Sequence, residues 1–110
     1  MLLLHGCLRS DAECARIRDR YDAMAAALRI GDTNAARTLF APRHRPRAQD
    51  NFGRLTMFAR PLSLRSGISI KGTRAQICPQ PIIPRGTSGH TVEMIKVEGD
   101  WFFTGKVSVF

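Results

Sequence analysis

The hydrophobic period of this chain changes once. Up to Ala59 the apolar residues recur every three or four positions, and beyond Pro61 they alternate. A chain that is helical first and alternating afterwards must lay helices on a sheet, because each kind of element has one apolar face to bury. The expected class is therefore α+β, with N-terminal helices on the concave face of a curved antiparallel sheet. The 110 residues leave room for one modest core. Residues 1–10 read as an N-terminal tail and residues 11–110 as a single domain.

Ser10, Asp11 and Glu13 open the first helix, a capping hydroxyl followed by acids that face the positive helix end. Cys14, Ile17, Tyr21, Met24 and Leu28 then form one apolar stripe, and Gly31 stops the helix. Arg16, Arg18, Asp19, Arg20 and Asp22 fall on the opposite, polar face. Asp32 or Thr33 caps a shorter helix that runs to Phe40 before Pro42. Arg43-His44-Arg45-Pro46-Arg47 reads as a basic loop. A third helix is expected from about Gln49 to Ala59, N-capped by Asp50 and carrying Phe52, Leu55, Met57 and Phe58.

The alternating part begins with Leu62 and Leu64, then Ile68 and Ile70, as strand pieces broken at Ser66-Gly67. Arg74 to Cys78 reads as the next strand. Pro79, Pro81 and Pro84 exclude a central strand and predict an edge-protecting loop around Pro81-Ile82-Ile83-Pro84. Thr91–Val97 and Trp101–Val109 form a hairpin across Glu98-Gly99-Asp100, where Gly99 supplies a positive φ. Trp101, Phe103, Gly105, Val107 and Val109 share one face. Phe102, Thr104, Lys106, Ser108 and Phe110 share the other.

Seventeen Lys and Arg against nine Asp and Glu give a formal charge of +8. Such a field attracts nucleic acid, anionic lipid or an acidic protein. The arginines are scattered over helices, loops and strands, as a GC-rich coding bias produces, and no platform of stacking aromatics accompanies them, which weighs against nucleic acid. Cys7, Cys14 and Cys78 are too few and too irregular for a disulfide framework or a zinc site, and Cys14 reads as a small core residue. His5 with Cys7 has no second pair at ligand spacing, so neither metal nor cofactor is expected. No run approaches the length of a membrane span. The expectation is a cytoplasmic protein as the sequence stands. Leu4-His5-Gly6-Cys7 resembles the end of a bacterial lipoprotein signal, so a start upstream of Met1 would make it a periplasmic lipoprotein.

Two stretches carry a family resemblance. Met24 to Pro42, MAAALRIGDTNAARTLFAP, followed at the end by Ile95 to Val107, IKVEGDWFFTGKV, resembles the nuclear transport factor 2-like superfamily, which includes ketosteroid isomerases, polyketide cyclases and scytalone dehydratase. The likeness implies a cone-shaped cavity between helices and sheet, with the Trp101, Phe103 and Val107 face as part of its wall. It also implies a homodimer formed through the outer sheet face.

None of the family's catalytic sets carries over residue for residue. The isomerase tyrosine, seven residues before the corner glycine, is Met24 here, and Tyr21 sits about one turn earlier. The isomerase aspartate would fall in Arg43 to Ala48, which holds no acid; Asp50 is the first candidate. The dehydratase needs an Asp–His arrangement, but His44 lies in the basic loop and His90 in a Gly-Ser turn. Proton abstraction beside a carbonyl would have to use Tyr21 as donor and Asp50, His90 or Glu93 as base. Each has a plainer part: core aromatic, helix cap, loop residue and solvent-facing strand residue. The leading expectation is thus a non-catalytic domain that binds a small apolar molecule or peptide in a pocket of Tyr21, Met24, Leu28, Phe40, Phe58, Trp101 and Phe103. The alternatives are an assembly module that meets its partner through Phe102 and Phe110, an isomerase or dehydratase with a rearranged site, and nucleic-acid binding through Arg43–Arg47.

Overall fold

The structure is a computed structural model that describes residues 11–56, 67–79 and 90–109. Helix α1 spans Asp11–Ile30 and α2 Thr33–Thr38. A 3-10 segment, Pro42–Asn51, runs into the short helix α3, Phe52–Thr56. Strands β1 (Gly67–Lys71), β2 (Arg74–Cys78), β3 (His90–Val97) and β4 (Asp100–Val109) form one antiparallel sheet in the order β1-β2-β3-β4. The fold is α+β. Phe58, Phe110, the Leu62–Leu64 piece, the Pro81–Pro84 loop and the tail with His5 and Cys7 lie outside the described residues.

α1 ends where a left-handed residue is cheapest. Gly31 takes φ 76°, its N–H donates to Leu28 O, and the Asp32 N–H donates to Ala27 O at 2.8 Å. The Asp32 carboxylate then accepts from the Ala35 N–H at 3.0 Å and caps α2, so one residue closes one helix and opens the next. α2 stops at Thr38 rather than Phe40. The reason is competition, because Leu39, Phe40 and Ala41 are taken by the free edge of β4. Phe103 donates to Leu39 O at 2.9 Å, and Ala41 donates to Phe103 O at 3.0 Å.

The expected basic loop and third helix need correction. Pro42 to Asn51 is a continuous 3-10 segment, and α-helix begins only at Phe52. Pro46 has no N–H for either ladder, and in an α-helix its ring would meet the Pro42 carbonyl, which disfavours the α wind across this stretch. Asp50 lies inside the segment instead of capping a helix.

The hairpin is tighter than its sequence suggests. Val97 pairs with Asp100, so the turn is the two residues Glu98 and Gly99, both at positive φ (50° and 84°). Such a turn matches the twist of the strands it joins. Farther along, Glu93 alone on β3 faces Thr104, Gly105 and Lys106 on β4, a bulge of two extra residues. Because two is even, Phe103 and Val107 stay on the same face. Gly105, at φ 90°, makes the bend possible: a Cβ there would stand 2.6 Å from Asn51 Nδ2 and 3.3 Å from Phe40 Cε2.

The core lies between α1 and one face of the sheet. Ile17, Tyr21 and Met24 from α1 meet Phe40 from the edge segment and the row Ala75, Met94 and Phe103. Trp101 is fully buried, with its indole N–H 3.3 Å from Glu13 Oε2. Lys96 Nζ reaches the same carboxylate at 2.9 and 3.2 Å, which ties the first turn of α1 to the hairpin tip. Cys14 is buried but is not a plain thiol, since it is disulfide-bonded.

Two outcomes follow. Gly105→Ala should lower the unfolding free energy by about 1–3 kcal/mol, the usual cost of forcing a side chain into a glycine conformation, as chemical denaturation would read. The Lys96 bond, first, then the indole N–H and the charges of Lys96 and Arg16, hold Glu13 below its ordinary 4.5 against the opposing effect of desolvation. The stability it lends is present above 4.5 and is lost as pH falls through the lowered value. Melts of wild type and Glu13→Gln should therefore differ at neutral pH and converge in acid; a constant gap would contradict this.

Candidate functional site

Of the residues expected to line a pocket, the described ones belong to one core cluster or pack against it. Phe40, Trp101 and Phe103 are each 0% exposed, and Tyr21 and Met24 are nearly so. The Tyr21 and Phe103 rings lie 5.8 Å apart, Phe40 and Phe103 6.3 Å, and Phe40 and Phe52 6.0 Å, ordinary spacings for packed aromatics. Leu28 is half-buried against the same cluster.

The candidate acid–base residues are dispersed. Burial, helped by the charges of Asp22 and Cys78, pushes the Tyr21 hydroxyl well above its ordinary 10.0. Asp50 stands in solvent with its side chain 71% exposed, 3.8 Å from Arg47. His90 is the first residue of β3, opposite Val109, about 13 Å along the strand from the Met94–Phe103 pair that Tyr21 approaches. Glu93 is the one buried charged residue among those described, 7% exposed. Its carboxylate accepts from Arg74 Nη1 at 3.2 Å and from Thr104 Oγ1 at 2.9 Å. Expected to face solvent, it is instead a satisfied acceptor opposite the bulge. Among the described residues no buried side-chain nitrogen or oxygen lacks a partner, so the interior presents no orphan group to a ligand. Among them, too, no group of three or more His, Cys, Asp or Glu side chains is placed to hold a metal ion.

The other face of the sheet is organised differently. Register brings Lys71 beside Arg74, Arg74 beside Ile95, and Ile95 beside Phe102, a single row across all four strands. Ile95 and Phe102 are half-buried, while Lys71 and Arg74 are exposed. Past Phe102, at the sheet edge, stand two more cations. The Arg20 guanidinium lies 4.7 Å and that of Arg45 6.0 Å from the Phe102 ring centroid.

Both arginines are fixed by backbone carbonyls. Arg20 Nε donates to Trp101 O at 2.8 Å. Arg45 Nε donates to Phe40 O at 3.0 Å, and its Nη2 to Thr38 O at 3.2 Å. Phe102, expected on the outer face, thus sits there under two positioned guanidiniums. Arg45 is tied down, not part of a loose basic loop. The sequence placed Arg45 in the basic Arg43–Arg47 stretch and Arg20 on the polar face of α1, but it set neither beside Phe102, and it did not single out Arg74 and Lys71. The signal for the last two was Lys71-Gly72-Thr73-Arg74, a two-residue turn with Gly72 at φ 62° that sets them side by side.

The buried phenol gives a direct check. A group whose folded pKa is raised stabilises the fold fully below its unfolded value, here 10.0, and that stability is lost as pH climbs above it. As Tyr21 is the single tyrosine, phenolate absorbance should stay flat through pH 10.0 and rise together with unfolding. A rise centred at 10.0 in the folded protein would place the hydroxyl in water.

No helix among the described residues is long and apolar enough to cross a membrane. No protein-family model, curated protein or solved structure matches this chain.

Proposed function

We propose that the chain is a non-catalytic protein-association module of the nuclear transport factor 2-like cone type, which contacts its partner through the outer face of the sheet. The cone reading is supported by the order of elements, by α1 lying against one face, and by the bulge at Thr104–Lys106, which bends β4. The association reading rests on one contrast. The inward aromatics are consumed by packing on each other, whereas Phe102 is left half-buried on the outer face between cations held at fixed positions. An aromatic next to arginine is the composition of an interface anchor.

A small-molecule pocket is the weaker reading, since a ligand would have to displace side chains that are core. Truncating one of them costs about 3–5 kcal/mol, a large share of the 5–15 kcal/mol that holds a domain together. Catalysis is weaker still, with Tyr21 inside, Asp50 outside and His90 remote from both.

Selection of peptides from a displayed random library on the immobilised domain tests the association. Enriched peptides should bind the Phe102→Ala variant about tenfold more weakly, the loss of one anchor. They should bind Ile30→Ser unchanged, because Ile30 is 77% exposed on α1. No enrichment, or peptides indifferent to Phe102→Ala, would overturn it.

A further inference from the structure

We infer that the partner presents an apolar side chain flanked by carboxylates, and that the row Lys71–Arg74–Ile95–Phe102 with Arg20 and Arg45 is the surface that takes it. The inference rests on the association reading above and gives it a chemistry.

The surface has an apolar middle and cationic ends. Ile95 and Phe102 are cross-strand partners at its centre. Lys71 and Arg74 lie to one side, Arg20 and Arg45 to the other. Adjacent strands are about 4.8 Å apart, so the row from Lys71 to Phe102 spans about 14 Å, the reach of a short peptide segment. The described outward strand residues of this face hold two acids, Glu93, already held by Arg74 and Thr104, and Asp100 at the hairpin end, against Lys71, Arg74 and the flanking Arg20 and Arg45. Charge on the face is therefore unbalanced in one direction.

The arginines are also prepared for a carboxylate. Arg20 spends its Nε on Trp101 O, so the donor fork it has left is the Nη pair, and among the described residues no acid is within ion-pair distance of it. A fork of two parallel N–H donors fits the two oxygens of one carboxylate. Arg74 pairs with Glu93 through Nη1, yet its side chain remains 60% exposed.

Two other occupants fit less well. A second copy of this chain, related by a two-fold axis and using this same row, would set cationic ends against cationic ends. A nucleic acid needs an open ring to stack a base, and the Phe102 face carries the Arg20 guanidinium.

The test is titration of the full chain with a synthetic peptide whose single leucine is flanked by aspartates, against the same peptide with asparagines in their place, and against polyuridylate. The aspartate peptide should bind about tenfold tighter than the asparagine one, and its affinity should fall as salt rises. Arg20→Gln should weaken it about tenfold. Lys71→Gln, an exposed change that leaves the fold intact by its melt, should weaken it about threefold. Equal binding of the two peptides, still lost in Phe102→Ala, overturns the acidic partner and leaves association standing. Failure of both peptides, or indifference to Phe102→Ala, overturns both. Tighter binding of polyuridylate, or a dimer in sedimentation that Phe102→Ala dissociates, also overturns the acidic partner.

Discussion

A strand at the rim of a sheet leaves half its N–H and C=O groups without a neighbour, and bare rims pair with other chains. β4 is such a strand, paired on one side with β3. The first part of its open side is occupied from within the same molecule. Arg16 Nη1 donates to Gly99 O at 3.0 Å, and Arg20 donates to Trp101 O. Phe103 then exchanges both of its backbone bonds with Leu39 and Ala41. The turn residue Gly99 and the next two rim positions, Trp101 and Phe103 of β4, are satisfied by α1 and by the segment after α2.

The two faces of the sheet take their character from that closure. Fixing Leu39–Ala41 against β4 delivers Phe40 into the core beside Phe103 and Tyr21. It also places Arg45 just beyond, where its guanidinium binds Phe40 O and reaches the Phe102 ring. Arg20, from α1, donates to Trp101 O and reaches the same ring. The positive charge of the chain is thus partly used to seal a strand edge, and what is used there is displayed beside Phe102. Inside, the aromatic cluster and the Glu13–Lys96–Trp101 tie hold the helix to the hairpin.

Much of this was legible in the residues. The Cys14–Leu28 stripe marked α1 and its buried side, Gly31-Asp32 marked the corner, and Arg74–Cys78 and the closing hairpin were placed within a residue or two. These are local signals, set by periodicity and by the few residues that accept a positive φ. What escaped depended on distant partners. Nothing near Arg16 or Arg20 says that carbonyls some eighty positions away need donors (the separations are 83 and 81). The 3-10 wind of Pro42–Asn51 was hidden because a run of arginines and prolines reads as loop. The bulge opposite Glu93 preserved the alternation of β4 and so left no trace in its pattern. The pocket expectation followed from resemblance, and counting large apolar side chains could not say whether they would line a space or fill it.

Amide hydrogen exchange, resolved by residue, tests the closure of β4 most directly. The Phe103 and Ala41 N–H groups should be protected as strongly as those of the interior strand β3, because both are bonded across the rim. Exchange of the Phe103 amide at the rate of an open strand edge, with β3 still protected, would mean that the rim is bare and that neither the buried cluster nor the ordered cations around Phe102 are held as described.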